Sequence, residues 1–300
     1  MQKLKAWFSA ARLRTLPLSI SGILVATAIA IDNGYYNGMI CTLALATTLG
    51  LQVLSNFAND YGDGVKGTDN EDRVGPQRAL QSGVIAPKEM LRGIVLTSII
   101  TLGLAVMLIY TAFGSDNFVY SLFFFVLGLF AIAAAIKYTV GNSAYGYRGL
   151  GDVFVFIFFG MVSVVGCYFL YSKYIYWQLL FPASAVGMLS SAVLNLNNMR
   201  DQESDAKVGK NTLVVKLGNE KARKYHFLLL FGSMFTMLLY AGLTYQQPQK
   251  LLFLIAFIPI VLHAQKVKTN KDPKKLDPEL KKVALTTFLL AILLLIGVIL

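Results

Sequence analysis

Residues 52 to 69 read Gln-Val-Leu-Ser-Asn-Phe-Ala-Asn-Asp-Tyr-Gly-Asp-Gly-Val-Lys-Gly-Thr-Asp, and residues 70 to 83 continue Asn-Glu-Asp-Arg-Val-Gly-Pro-Gln-Arg-Ala-Leu-Gln-Ser-Gly. Here an apolar helix runs out into carboxylates. Asn59 and Asp63 are four apart and stack on one helical face, with Asp60 on the neighbouring face and Gly62, Gly64 and Gly67 loosening the backbone. Hard oxygen donors at a helix end, with Lys66, Arg73 and Arg78 just beyond, suit Mg²⁺ carrying a phosphorylated substrate.

A second stretch answers the first. From residue 197 the chain reads Asn-Asn-Met-Arg-Asp-Gln-Glu-Ser-Asp-Ala-Lys-Val-Gly-Lys-Asn-Thr, so that Asn197, Asp201 and Asp205 form one polar stripe at i, i+4 and i+8. Each cluster ends a hydrophobic segment and is followed by Lys, Gly and Thr, as expected of two halves of one site.

The composition sets the solvent. Of 300 residues, 56% are hydrophobic and only 14% charged, which is outside the range of soluble domains. Long apolar runs near the roughly 20 residues that a spanning helix needs, separated by short polar loops, define an integral membrane protein. Strand-like alternation is missing from the pattern, which argues against a β-barrel. The expected fold is all-α: a polytopic membrane bundle of about nine transmembrane helices, over roughly 15–31, 39–58, 93–113, 117–137, 152–171, 177–197, 226–244, 250–265 and 283–300.

Residues 1 to 14 place Leu4, Trp7, Phe8 and Ala11 on one face with Lys3, Lys5, Arg12 and Arg14 around it, an amphipathic surface helix. A secretory signal is the competing reading; the charge extending to Arg14 and the regular series of spans that follows speak against it. With residue 1 in the cytoplasm, every Lys and Arg except Lys173 and Lys250 falls in or beside a cytoplasmic segment. Both carboxylate clusters then emerge on that same side. The chain reads as one membrane domain over 1–300, and the spacing of the clusters suggests pseudo-repeat halves of about 1–137 and 138–300.

A third polar segment runs from Lys137 to Asp152. Asp152 begins an apolar span, where it either caps the helix or takes a functional part. Tyr138, Tyr145 and Tyr147 either line a site for an aromatic or cationic species or are interfacial tyrosines. Residues 266–282, rich in lysine, read as a solvated loop drawn to anionic head groups. Cys41 and Cys167 lie inside apolar runs and read as packing residues, while His226 and His263 fit interfacial or core roles better than metal ligation.

Two carboxylate clusters beside a membrane imply bound cations or a proton path. Asn and Asp oxygens without His or thiolate fit Mg²⁺ better than zinc or iron, and Arg73, Arg78, Arg200, Lys207 and Lys210 could pair with the phosphate oxygens the metal leaves exposed. Such a site suits ionisation of a diphosphate: charge on the leaving group is neutralised, aromatic side chains steady the carbocation, and an apolar interior takes an isoprenoid tail.

These residues resemble the UbiA superfamily of intramembrane prenyltransferases, and within it the MenA branch, which acts on 1,4-dihydroxy-2-naphthoate. The resemblance covers most of the chain. It is carried by residues 11–17, by Asn59 through Asp69, by Asp72-Arg73 through Arg78 to Gly83, by Tyr138 with Tyr147-Arg-Gly-Leu-Gly-Asp152, and by Asn197 through Asp205 to Gly209-Lys210 and Thr212. It implies a cytoplasmic cap over a central cavity and two Mg²⁺ ions bridging a polyprenyl diphosphate. Asn59 and Asp63 would serve the first ion and Asn197 and Asp201 the second, with Asp69 and Asp205 supporting. Lys66, Arg73 and Arg78 would hold the diphosphate, Arg200 would either join them or brace the carboxylates, and Arg12 or Arg14 would receive the acceptor's carboxylate.

The superfamily pattern places a further Asp four residues after the position of Asp63. Gly67 stands there instead, and Asp69 is the next carboxylate. Asn56 and Asp60 form an alternative i, i+4 pair. The implied reaction joins the prenyl group to the ring carbon bearing the acceptor's carboxylate, with loss of carbon dioxide, at the bacterial inner membrane and without nucleic acid. The alternatives are a superfamily member with another acceptor such as 4-hydroxybenzoate, and, from a different class, a cation-coupled transporter with its carboxylates near the bilayer midplane.

Overall fold

The computed structural model describes residues 2–68, 77–245 and 247–300, with Arg14 described by its backbone alone. Every regular element among these residues is helical. An amphipathic α1 (Gln2–Ala11) is followed by α2 (Leu16–Asp32), α3 (Gly38–Val65), α4 (Pro87–Phe113) and α5 (Phe118–Lys137). After the polar segment come α6 (Gly151–Ser172), α7 (Trp177–Arg200), α8 (Asn219–Thr244), α9 (Pro248–Thr269) and α10 (Pro273–Ile299). Eight of these are long and apolar enough to cross a membrane, and a ninth crossing results when α1 and α2, bent by 45° at their junction, are taken as one span.

Local chemistry sets the helix starts. The Asn37 side chain accepts hydrogen bonds from the Met39 and Ile40 amides at 2.9 and 3.1 Å, satisfying donors that the first turn of α3 leaves open. At α4, Pro87 fits the first turn and the Glu89 carboxylate accepts from the Ala86 amide at 3.0 Å. Several helices exceed the apolar runs that define them. α3 carries on to Val65, so Asn59, Asp60 and Asp63 lie on its last turns; α8 begins at Asn219 and α10 at Pro273. The expected lysine loop over 266–282 is therefore mostly helical, because polar residues extend a helix whose apolar part is already anchored.

α7 is the central element, with 67% of its apolar window buried, against 11% for α5, which faces outward. It packs on α6, α8 and α10, while α3 packs on α4 and α10 on α2. Glycine permits the closest of these approaches. A Cβ at Gly160 on α6 would lie 2.5 Å from the Ala183 carbonyl and 2.8 Å from the Gly187 Cα, so two backbones meet where only glycine fits. Over Phe156–Gly166, α6 adopts the wider π form, which nothing in the hydropathy pattern had indicated.

The apolar core has two parts. One surrounds α7, with Val186, Leu189 and Leu196 fully buried; the other joins α1 to α3 and α4 through Ala10, Leu54, Phe57 and Met90. Trp7 anchors α1 there by an edge contact with Phe57 at 5.1 Å. A cavity of about 410 Å³ is lined by α2 to α7, by the α1–α2 junction and by Leu280 of α10.

Candidate active site

Both polar clusters open into that cavity. Asn59 and Asp63 reach it from α3, Asn197, Asn198 and Asp201 from α7, and Asp205 from the short helix Gln202–Lys207 that follows. The clusters are 138 residues apart from Asn59 to Asn197 (197 − 59), yet they form the walls of one polar end. Away from that end the lining turns apolar, with Ile23, Leu108, Phe124, Phe158, Phe159 and Leu170 among its residues.

Each polar group is held by a distant part of the chain. The Thr139 hydroxyl donates to the Ala58 carbonyl at 2.9 Å and lies 3.3 Å from Asn59 Oδ1, fastening the segment after α5 to the end of α3. Gly62 makes this possible, since a Cβ there would lie 2.5 Å from Thr139 Oγ1. The Tyr147 hydroxyl donates to Asp63 Oδ1 at 2.8 Å, and the Lys66 ammonium sits 4.0 Å above the Tyr147 ring while donating to the Thr139 carbonyl at 2.7 Å. Tyr147 and Lys66 thus support Asp63 from behind. Tyr138 lines the cavity, and Tyr145 beside it stacks on Phe154 with ring centres 4.0 Å apart.

Charge is unevenly compensated. Asp205 is buried and its Oδ2 has no hydrogen-bond partner. Burial pushes its carboxyl up to about 6; the Lys210 ammonium, 3.5 Å away, pulls the other way, and the charges of Asp201 and Asp63 push it up further. For Lys210, burial favours the neutral amine, but Asp63 and Asp205 outweigh it and hold the ammonium charged. A carboxylate whose ionisation is made costlier by burial and by neighbouring carboxylates is what a bound dication would relieve. Among the described residues no three His, Cys, Asp or Glu side chains gather as a complete metal cage. Mg²⁺ shared with a phosphorylated substrate does not require one: it binds through one or two protein carboxylates together with phosphate oxygens and water. The donor set present, Asn and Asp oxygens facing one polar space, fits that mode.

The remaining sequence candidates fall in other places. Asp69 and Arg73 lie outside the described residues, as does the Arg14 side chain. Asp60, 1% exposed, accepts from Arg12 at 2.7 Å and from Arg78 at 3.2 Å, and Asn56 donates to the Ala11 carbonyl at 2.9 Å. The alternative Asn56/Asp60 pair therefore ties α3 to the α1–α2 junction, while Arg12 and Arg78 present their cations to the cavity. Arg200 is 4% exposed and is absent from the described lining. It grips both Asp201 oxygens at 2.6 and 2.8 Å, reaches Asn197 Oδ1 at 2.9 Å, and pairs with Asp277. It braces carboxylates and does not face the cavity. Asp152 lies buried in the first turn of α6, with its carbonyl accepting from Ser191 at 3.2 Å. Asn198 and Ser204 line the site without having been singled out; Asn198, three residues before Asp201 and seven before Asp205, had the spacing to be found.

An all-helical membrane bundle whose large cavity joins carboxylates and cations at one end to aliphatic and aromatic walls is built for an amphiphile with an anionic head and an apolar tail. The family follows from the chain itself: it belongs to the UbiA prenyltransferase family, whose model matches residues 16–293. It is 42% identical over 99% of its length to the 1,4-dihydroxy-2-naphthoate octaprenyltransferase of Escherichia coli, of which it covers 96%. Its fold is similar to the apo structure of a UbiA homolog from Aeropyrum pernix, with a TM-score of 0.68 at 15% identity and 97% of both chains covered. It is also similar to a UbiA homolog from Archaeoglobus fulgidus bound to DMAPP and Mg²⁺, with a TM-score of 0.60 at 15% identity, covering 94% of this chain and 98% of that one.

Proposed function

We propose that this protein transfers a polyprenyl group from polyprenyl diphosphate to 1,4-dihydroxy-2-naphthoate, with loss of the acceptor's carboxylate as carbon dioxide, yielding the quinol form of demethylmenaquinone for menaquinone synthesis. The observation that carries the proposal is the convergence of Asn59 and Asp63 with Asn197, Asp201 and Asp205 on one cavity whose other lining residues are largely apolar. Full-length similarity to the E. coli naphthoate octaprenyltransferase supports this acceptor over 4-hydroxybenzoate. A transporter, with carboxylates at the midplane of the spans, is a poor match for clusters at helix ends.

Asn59 and Asp63 on one wall, and Asn197, Asp201 and Asp205 on the other, would hold Mg²⁺, with Asp69 an additional candidate; two walls of donors suit two ions. The metal would supply charge neutralisation to the diphosphate as the allylic C–O bond breaks. Lys210 and Arg78 line that end and would add positive charge there; Lys66, engaged with Thr139 and Tyr147, stands behind Asp63, and Arg73 remains a diphosphate candidate from the sequence alone. The electron pair of the broken bond leaves with the diphosphate. Tyr138 and Tyr145 line the cavity and would steady the allylic cation, and the apolar walls would keep water from it. The acceptor's ring carbon donates its π electrons to the new C–C bond; the bond to its carboxylate then breaks, returning an electron pair to the ring and releasing carbon dioxide. Arg12, at the cavity edge, is suited to orient that carboxylate, and Arg14 is the second candidate.

Lysines and arginines concentrated at the ends bearing these clusters support an orientation with the N-terminus and the site facing the cytoplasm, in the inner membrane. The whole chain would act as one domain built from two pseudo-repeat halves. The test supplies membranes containing the protein with labelled polyprenyl diphosphate and either 1,4-dihydroxy-2-naphthoate or 4-hydroxybenzoate, each with Mg²⁺ or excess chelator. Metal-dependent product with the naphthoate alone is expected. Product with the benzoate instead would overturn the acceptor, and no product from folded protein would overturn the activity.

A further inference from the structure

The second cluster includes a residue outside the cavity. Asp277 lies near the start of α10, where its opening 3-10 turn gives way to α-helix, far along the chain from the clusters, and is not part of the described cavity lining. Its carboxylate pairs with Arg200 Nη1, while Arg200 Nε and Nη2 hold both oxygens of Asp201 and Nη2 also reaches Asn197. We infer that Asp277 is a positioning residue that sets the divalent-cation affinity of the Asn197–Asp201 wall by sharing the Arg200 guanidinium. This rests on the metal-dependent reading above.

The physical basis is a conflict within the cluster. A buried bidentate Arg–Asp pair is a closed unit, since the guanidinium fork satisfies both carboxylate oxygens and cancels their charge. Asp201 and Arg200 alone sum to zero (−1 + 1), a poor lure for a dication. With Asp277 the group sums to −1 (−1 + 1 − 1), and the guanidinium is attracted in two directions. The two carboxylates differ in setting. The Asp201 side chain is 8% exposed and lines the cavity, whereas the Asp277 side chain is 38% exposed and is not among the lining residues. A cation approaching from the cavity therefore meets Asp201, and Asp277 keeps Arg200 partly engaged on the far side while Asp201 turns an oxygen toward the metal.

Neutralising Asp277 leaves its charge effect to be read through Arg200. A partly exposed charge one side chain removed from a dication is worth about a fivefold change in affinity. The experiment uses the full chain purified in detergent and follows thermal unfolding against MgCl₂ concentration at a fixed concentration of inorganic diphosphate, without prenyl substrate. Wild type should be stabilised by Mg²⁺. In Asp277→Asn the half-saturating Mg²⁺ concentration should rise about fivefold, Asp277→Glu should restore it, and Glu220→Gln, which removes an exposed carboxylate paired with Lys224, should leave it unchanged. Asp277→Ser serves as a second neutral variant, should Asn weaken the fold. In transfer assays the defect of Asp277→Asn should vanish at saturating Mg²⁺, which a merely structural lesion would not do.

An unchanged Mg²⁺ midpoint in both neutral variants, or an equal shift in Glu220→Gln, overturns the inference and leaves the proposed activity standing. No Mg²⁺ response in wild type, where chelator also leaves transfer intact, overturns the metal-dependent reading and the inference with it.

Discussion

Asp60, on the last turns of α3, accepts a hydrogen bond from Arg12 at 2.7 Å, although 48 residues separate them. Arg12 stands at the bend between α1 and α2 with φ of 50°, a left-handed conformation that non-glycine residues adopt at a cost. The ion pair joins the end of the surface helix to the carboxylate-bearing one.

Removing that pair has a defined consequence. Asp60→Asn leaves the carboxylate's charge missing between two arginines, Arg12 and Arg78, each less than one-fifth exposed. The variant should lose about 3 kcal/mol of stability, as broken buried pairs do. Thermal unfolding in detergent checks it; a melting temperature equal to that of wild type would mean that the pair with Asp60 contributes nothing to stability.

Tyr147→Phe removes one hydrogen bond to Asp63 and retains the ring beneath Lys66. A hydrogen bond to a charged group contributes about 1.5–3 kcal/mol, so turnover should fall about tenfold or more with the fold intact. Initial rates of prenyl transfer test this, and a rate within twofold of wild type would remove Tyr147 from the supports of Asp63.

Asp205 sets an acid limit. Its carboxyl is raised to about 6 from an ordinary 3.8, so it takes up a proton as the pH falls through about 6, well above where a free Asp would. Protons and Mg²⁺ then compete for it. The Mg²⁺ concentration giving half-maximal activity should rise as the pH drops from 7 to about 5.5, and Asp205→Asn should abolish most of that pH dependence. A metal requirement independent of pH across this range would count against Asp205 as a ligand.

His226 and His263 meet Nε2 to Nε2 at 2.9 Å, and His263 Nδ1 lies 2.7 Å from Glu279 Oε2, linking α8, α9 and α10. With neutral rings, His263 donates Nδ1–H to Glu279 and accepts from His226 Nε2–H. His263→Ala strips a partner from a carboxylate that is 1% exposed, though Lys282 remains at 2.6 Å. The loss should be about 2 kcal/mol of stability, with the half-saturating Mg²⁺ concentration unchanged; a large change in the latter would show that this network communicates with the cavity.

Much of the site could be read from residue spacing. Asn59 and Asp63, and Asn197, Asp201 and Asp205, follow helical periodicity, and counting apolar runs between them put both clusters on one side of the bundle before any coordinates. The division of labour among the cations could not be read this way. Arg78 and Arg200 look equivalent in sequence, each a basic residue beside a carboxylate cluster, yet one lines the cavity while the other is enclosed by Asp201, Asn197 and Asp277. His226 and His263, separate in the chain, become one network for the same reason.

By itself, then, the sequence determined the solvent, the number of spans, and the two sets of oxygen donors, because hydropathy and helical period are local properties that a bilayer enforces strongly. Only the tertiary structure decided which charge neutralises which, where α6 widens into its π stretch, and that Asp60 ties helices together while Asp63 faces the cavity. Those outcomes depend on Coulomb and hydrogen-bond terms that fall off within a few ångströms in the interior, and the pairs that come so close are chosen by the packing of helices distant in the chain.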